Sequence, residues 1–417
     1  MIKTINLKEL LMNRDIYYKT PPQRFLFNYG QEEMHQHILC TGLGEKNIYD
    51  SVSQCNKCAY CSRVCPFQLT QNREDRGPRA RNLLARYIME GKISLKQNTK
   101  ELKEVCLTCM LCGSCTRECF AKVPTHDHVL ELERALGRRE LSFSVRFKKA
   151  FGKLTPFSLK RKIKKSALTP LTGPDQVLFV PSYEAKYKET KSGFNAFKNL
   201  NDIFGKIAVF YKECGMYNYV YGPLPQARKE AEALIGFYFD KKMEGKKIVT
   251  DSLELYNFFK KYPQLFKLTP LEEKAKKFAL NVFYLADVLP AQKPTALKSQ
   301  DKVLLTKTSV FSAEKELFKT SEDMLKNIYG ANYLPGWQGE AYPLALLGYG
   351  HIKPKENKIF LENKIKFIAS AQADILVCPS LEQKIILNKH VKKYYAKVKV
   401  VYIGDLYGGK TYGGRAA

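Results

Sequence analysis

The sequence predicts an α+β multidomain chain, and three observations predict it. Nine of the 12 cysteines sit in two short clusters before residue 120. A stretch from Arg146 to Lys165 carries nine basic residues and no acidic one. Beyond Pro170, short β-branched or aromatic runs alternate with helical stretches, the pattern of α/β layers over a largely parallel sheet. These shifts divide the chain into a helical domain over 1–140, a basic linker over 141–170 and two similar α/β units over 171–290 and 291–417.

A length of 417 residues allows two or three hydrophobic cores. An apolar content of 45% with 12% aromatics argues against general disorder. No apolar run reaches bilayer length; "YPLALLGYG" (Tyr342 to Gly350) is short and broken by Gly and Pro. The start, "MIKTINLKELLMNRD", has no apolar export core and no small-residue cleavage site. That points to the cytoplasm, with peripheral attachment to the inner face of the cytoplasmic membrane as the other reading. The net charge of +28 favours acidic partners, which nucleic acid, anionic lipid and an acidic protein all satisfy.

Taken in order, the first fifty or so residues show no strong period. After the first cysteine cluster, "RGPRARNLLARYIMEGK" reads as a Pro-initiated helix stopped at Gly91. After the second, "THDHVLELERALGRR" reads as a helix capped by Thr125, with His126 and His128 as solvated helix-start residues. The basic linker interleaves its charges with Phe, Leu and Ile. It is either a solvated connector or a surface for anionic headgroups or an acidic protein. Further on, "QVLFVPSY", "KIAVFY", "KKIVTDS", "NVFYLAD", "KVLLTKT", "ADILVCPS" and "VKVVYIGD" read as buried strands, in two halves dividing near Pro290. Between them, "QARKEAEALIGFYFDKKM", "AEKELFKTSEDMLKNIYG" and "ENKIKFIASAQ" read as helices.

The chemistry lies in the cysteines. So many thiols crowded into two runs of a long chain speak for metal rather than disulfides. Cys55, Cys58, Cys61 and Cys65, followed by Pro66, give C-x2-C-x2-C-x3-C-P, the spacing of bacterial ferredoxins. Two-residue gaps let the backbone coil round one face of a cubane so that three thiolates reach three irons. The fourth cysteine points to a neighbouring cluster. The second run, "CLTCMLCGSCTREC", offers two registers. Starting at Cys106 puts Thr116 where the fourth ligand belongs; starting at Cys109 completes the spacing at Cys119, with Phe120 in place of proline. The second register is the better, and Cys106 becomes a small buried packing residue. The expected ligands are Cys55, Cys58, Cys61 and Cys119 for one [4Fe-4S] cluster, and Cys109, Cys112, Cys115 and Cys65 for the other. Zinc is the competing occupant. Cys40, Cys214 and Cys378 read as packing residues. "LYGGKTYGG" lacks the strand–loop–helix frame of a phosphate loop, and no dinucleotide fingerprint is present.

In "CNKCAYCSRVCP", "GPRARNLLARYIMEGK" and "CTRECFAKVP", with Val123 and Pro124 after Cys119, the sequence resembles the iron–sulfur subunit of glycolate and lactate oxidases. More broadly it resembles electron-transfer proteins related to heterodisulfide reductase. The resemblance implies two cysteine-rich α/β domains, each marked by Cys-Cys-Gly. Here the motifs are degenerate: Glu213 precedes Cys214 and Gly215, Ser182 and Leu255 stand at ligand positions, Leu346 and Leu347 replace both cysteines of the second motif, and Leu381 faces the surviving Cys378. The implied fold is an N-terminal helical two-[4Fe-4S] ferredoxin-like domain followed by two α/β domains of degenerate Cys-Cys-Gly type. Those α/β domains are expected to hold no metal and to serve as a docking scaffold.

The leading functional expectation is a non-catalytic electron-transfer subunit of an oxidoreductase, passing electrons through two [4Fe-4S] clusters between a flavoprotein and a downstream acceptor. The alternative is a membrane-peripheral adaptor feeding a quinone or respiratory chain, with residues 146–165 on anionic lipid. A nucleic-acid-associated iron–sulfur protein ranks lowest, because the basic residues are spread along the chain and form no recognised reading element.

Overall fold

The computed structural model describes residues 52–89, 92–94, 97–136, 158–165, 175–267, 269–289, 300–306, 319–334, 354–394 and 397–407. Its N-terminal part is helical: a 3-10 turn at Tyr60–Val64, then α1 (Pro66–Gln71), α2 (Pro78–Met89), α3 (Thr99–Cys106), α4 (Ser114–Glu118) and α5 (Thr125–Ala135). Proline opens both α1 and α2, where the missing N–H is no loss and φ is already helical. Thr125 is the first helical residue of α5 rather than its cap; Pro124 holds that place.

All seven strand readings fall on strands. β1 (Val177–Val180), β2 (Ile207–Val209), β3 (Lys247–Thr250) and β4 (Val282–Tyr284) form a parallel sheet in the order β2-β1-β3-β4. β5 (Val303–Leu305), β6 (Tyr333–Leu334), β7 (Ile375–Cys378) and β8 (Lys399–Tyr402) form a second parallel sheet, in the order β6-β5-β7-β8. β6 was not legible, being only two residues long. The pairings β1 to β3 (Val177 opposite Lys247) and β5 to β7 (Val303 opposite Ile375) occupy corresponding places in the two sheets.

Strand alternation sorts the molecule into layers. Side chains of a strand point to opposite faces in turn. Leu178, Val180 and Ile248 therefore share one core with Ala85, Ile88, Leu102, Val129 and Leu130 of the helical part. Val177, Phe179 and Val249 point the other way, into a core shared with Val303, Leu305, Ile375 and Val377 of the second sheet. The outer face of that sheet, through Leu304, Leu376 and Val400, packs on Leu361, Ile368 and Leu387. The first sheet is thus covered on one side by helices of its own half, which bring Ala227, Leu234, Phe258 and Phe278 to the core that the cysteine-bearing helices extend, and on the other by the second half, as parallel sheets require.

The two halves also meet through their strand ends. Tyr284, the last residue of β4, donates its hydroxyl to the carbonyl of Pro379, just past β7. Tyr402, the last residue of β8, donates to the carbonyl of Asp251, just past β3, at 2.9 Å. Each half reaches into the carboxyl end of the other, the place where open parallel sheets usually bind ligands. Ser192 donates to Asp405 at 2.8 Å and Lys384 pairs with Glu189 at 3.2 Å, adding a charged tie between the halves.

Much of the basic linker lies outside the described residues. The part within them, Leu159–Lys165, is a helix: Leu159 is fully buried in the core between the sheets, while Lys160, Arg161, Lys162 and Lys164 are exposed. The division near Pro290, Cys40, Leu346 and Leu347 all lie outside the described residues.

One buried acid in this scaffold gives a pH test. Glu254 accepts the Ser252 hydroxyl on Oε2 at 2.8 Å, while Oε1 is buried without a hydrogen-bond partner. Burial pushes its carboxyl from 4.5 up to about 7. A carboxyl whose folded pKa is raised opposes folding once ionised, so its stability contribution is full below about pH 4.5 and is lost as pH rises through about 7. Glu254→Gln cannot ionise. Urea unfolding at both ends of that window should show the variant gaining on the order of 2–3 kcal/mol over the wild type at the alkaline end.

Candidate metal centre

The two cysteine runs adopt the same backbone path in one register. Around Cys58, Lys57 and Ala59 have φ values of 58° and 61°; around Cys112, Leu111 and Gly113 have 53° and 72°. Ser62 N–H donates to the Ala59 carbonyl at 2.8 Å, and Thr116 N–H to that of Gly113 at 3.0 Å. Cys65 N–H donates to Ser62 O, and Cys119 N–H to Thr116 O, both at 3.2 Å. The 3-10 turn Tyr60–Val64 and α4 occupy the same place in the two copies. Every correspondence matches Cys55 with Cys109 and Cys65 with Cys119. Three of the four left-handed positions are filled by residues with a Cβ, where that conformation is unfavourable by about 1–3 kcal/mol. Such turns aim successive N–H groups into one concavity, the arrangement that receives anionic groups including iron–sulfur clusters.

Cys65, Cys109, Cys112 and Cys115 line a single cavity, with Pro66, Phe67, Met110, Gly113, Arg81 and His126 among its walls. Next to it stand the other thiols. Cys61 lies within the electrostatic reach of Cys55 and Cys119 first and of Cys65 after them, and Cys115 in turn is reached by Cys61. Cys58 is exposed, Cys55, Cys61, Cys115 and Cys119 are half-buried, and Cys65, Cys109 and Cys112 are buried. Among the described residues no three His, Cys, Asp or Glu side chains gather tightly enough to share one ion. Tetrahedral zinc gathers its ligands on one point, with sulfurs about 2.3 Å from the metal. The thiols instead surround a space, which suits a cubane.

Burial sets the chemistry of these thiols. Cys112 is pushed up to about 11, Cys61 to about 12 by burial and the neighbouring Cys55 and Cys119, and Cys115 well above its ordinary value. Thiols held neutral in this way become ligands by releasing their protons to solvent as the metal binds. The charge that follows has a buried counterpart. Arg81, only 2% exposed, donates to Thr108 Oγ1 at 2.8 Å and faces Cys65 Sγ at 3.9 Å. Burial disfavours its charge, but Cys109, Cys65 and Cys115 more than offset this and hold its pKa above the ordinary value.

His126 and His128 correct the sequence reading, for both are buried rather than solvated. His126 Nδ1 is 3.2 Å from Thr116 Oγ1, and Thr116 donates onward to Val123 O. His128 Nδ1 is 3.0 Å from Asn82 Oδ1, whose amide nitrogen donates to Thr125 Oγ1 at 3.0 Å and faces Cys55 Sγ at 3.9 Å. Burial lowers the two imidazoles to about 4 and about 3, so both are neutral. Between them, Asp127 takes Lys261 at 2.9 Å, and at the end of α5 Arg134 donates to Tyr219 O at 2.6 Å. These contacts pin the cysteine-bearing part to the first α/β half. Arg81, Asn82 and Thr116 were missed by sequence reasoning, because their partners lie far along the chain.

Cys106 ends α3, fully buried among Ala85, Ile88, Leu102 and Val129. Cys214 and Cys378 are buried in apolar clusters, with burial raising them to about 11 and about 12. At the degenerate positions, Ser182 donates N–H and hydroxyl to the two oxygens of Asp251 at 2.6 and 2.7 Å. Leu255 and Leu381 are core residues. Gly215 has φ +96°, and an added Cβ would stand 2.4 Å from the Ala227 carbonyl, so packing alone requires glycine there.

Comparison with known proteins agrees with this geometry. Residues 51–123 match the family described as a 4Fe-4S dicluster domain. The chain is 30% identical over 159 residues to lactate utilization protein B of Geobacillus sp. (strain WCH70), covering 36% of this chain and 32% of that protein. It is 32% identical over 115 residues to the protein of the same name from Macrococcus caseolyticus, covering 27% and 23%. With that of Bacillus cereus (strain B4264) it shares 27% over 157 residues, again 36% and 32%. The chain spans about a third or less of the length of these relatives. No solved structure matches. The N-terminal part is a 4Fe-4S electron-transfer domain, distantly homologous to lactate utilization protein B.

Two measurements probe the centre. Cys106→Ser should leave the iron content of anaerobically purified protein unchanged, whereas Cys115→Ser should lose a cluster's worth, about four irons. Arg81→Gln removes a buried positive charge 3.9 Å from the Cys65 sulfur, worth roughly 4 kcal/mol at an effective dielectric of about 20. Redox titration followed by EPR should place one midpoint on the order of 100 mV lower, at about 59 mV per 1.4 kcal/mol.

Proposed function

We propose that the chain is the iron–sulfur electron-transfer subunit of a multi-subunit oxidoreductase acting on a 2-hydroxy acid such as lactate or glycolate. Cys55, Cys58, Cys61 and Cys119 hold one [4Fe-4S] cluster; Cys109, Cys112, Cys115 and Cys65 hold the other. The observation that carries this reading is the repeated turn geometry, which sets four of these thiols on one cavity and the rest beside it. A cubane supplies one-electron transfer when bound. The residues around it keep it dry (Phe67, Met110 and Leu111), oppose its charge (Arg81), and fix the surrounding helices (Asn82, Thr116, His126 and His128). A flavoprotein partner carries the substrate chemistry, and a downstream acceptor completes the path. The relatives named for lactate utilization support the substrate class.

The α/β halves serve as a scaffold of degenerate Cys-Cys-Gly type that positions the cysteine domain and offers surface to partners. Their strand ends, filled by tyrosines and by the Ser182–Asp251 pair, support that role. No helix among the described residues is long and apolar enough to cross a membrane. A second reading, a peripheral adaptor on the inner face of the cytoplasmic membrane, draws on the exposed Lys160, Arg161, Lys162 and Lys164 of the helix Leu159–Lys165.

Anaerobic purification from the native host, with iron analysis and EPR, tests the main reading. The expected result is about eight irons per chain in two cubane signals, together with a co-purifying flavoprotein. Four irons would leave one motif empty, and a lone chain with no flavoprotein would overturn the subunit assignment.

A further inference from the structure

The two groups of thiols differ in their exposure, and the surface over the more exposed group has a definite character. Cys58 is exposed, and Cys55, Cys61 and Cys119 are half-buried. Directly after Cys119, Phe120 is 81% exposed, an unusual degree for a large apolar ring. It occupies the place where the first motif has Pro66, so the backbone rule that explains the proline does not explain the phenylalanine. Its ring lies 5.0 Å from that of Tyr60, just before Cys61. The guanidinium of Arg63 lies over the Tyr60 ring, 3.5 Å from its centroid. An aromatic pair therefore stands beside the most accessible thiols in the domain.

Basic side chains lie close to this pair on the same two cysteine runs. Arg63 and Arg117 both contact Glu118, at 3.2 and 3.4 Å, Arg79 pairs with Glu74 and reaches the Lys57 carbonyl at 3.5 Å, and the Lys122 ammonium donates to Arg117 O at 2.9 Å. Beside the pair itself three cations, Arg63, Arg117 and Lys122, thus stand against one carboxylate, Glu118. The pairings hold the long side chains in place and leave an excess of positive charge. An apolar centre inside a charged rim is the make-up of a small transient protein interface.

We infer that this face, centred on Phe120 and Tyr60, docks a protein electron carrier whose redox centre is ringed by acidic residues. The inference rests on the electron-transfer reading above and adds which end of the domain meets the carrier, and the carrier's charge. The complementary charges steer the encounter, and the aromatic pair supplies the desolvated contact. A lipid surface is a poorer match: Arg63 and Arg117 are held by Glu118 beside one compact aromatic contact, not along the polar face of an amphipathic helix.

The test is a binding titration of the full cluster-loaded chain against two protein probes of opposite charge, acidic flavodoxin and basic cytochrome c. Flavodoxin should bind, with affinity falling at least about tenfold between low salt and the high-salt buffer, while cytochrome c should not. Phe120→Glu should weaken flavodoxin binding about tenfold or more. Leu280→Glu, at another apolar residue that is 77% exposed, should not. Equal binding of the two probes, or a Phe120→Glu variant that binds as the wild type does, would overturn the inference. So would co-sedimentation with phosphatidylglycerol vesicles that disappears in Phe120→Glu, which would make the face a lipid contact. Dithionite bleaching of the cluster absorbance, followed in every variant, separates the two levels. Clusters that cannot be reduced would sink the electron-transfer reading itself, whereas reducible clusters with no Phe120 effect would sink only the docking face.

Discussion

The helical part depends on two adjacent side chains, Arg81 and Asn82, in the first turns of α2. Arg81 joins the last turn of α3, through Val105 O and Thr108 Oγ1, to the sulfur of Cys65. Asn82 joins the sulfur of Cys55 to Thr125 and His128 on α5. The two cysteine runs meet in a small apolar cluster of Cys65, Phe67 and Met110. Each is a short turn with strained left-handed residues, and each is held from one helix that both runs flank. A buried guanidinium without a partner would be strongly destabilising. Its presence against three thiols means that the helix, the counter-charge and the cavity form a single design.

That design extends into the α/β part. α5 carries a salt bridge to Lys261 at one end and the Arg134–Tyr219 contact at the other, and the side chains between them enter the core under the first sheet. The same sheet is gripped from its other face by the second half. The cysteine domain is therefore not a bead on a string but packs continuously with the first α/β half.

What was legible in the sequence follows from the range of the interactions concerned. The strands were legible because a parallel sheet covered on both faces demands unbroken apolar runs, such as "VLFV" and "ILVC". β6 was not, since two residues carry no pattern. The cysteine spacing gave the register of the second run because ligand spacing is a local constraint. The left-handed turns could not be read, for Lys57, Ala59 and Leu111 are not residues that announce them. His126 and His128 misled because "HDH" at a helix start looks solvated. What buries them is Asn82, Thr116 and the α/β half, and nothing within the helix itself signals those partners. Exposed Phe120 is the opposite case, visible in the sequence as a missing proline but meaningful only once its surroundings are known.

The exchanged tyrosines bear on how the chain comes into being. Tyr284 must wait for Pro379, and Asp251 must wait for Tyr402, each pair spanning about a hundred residues or more of chain. On a ribosome the first half emerges with the carboxyl end of its sheet unplugged and one apolar face bare, until nearly the last strand has been made. Non-local closure of this kind is slow and leaves sticky surface open meanwhile. The first half thus completes its packing only once the second has been made.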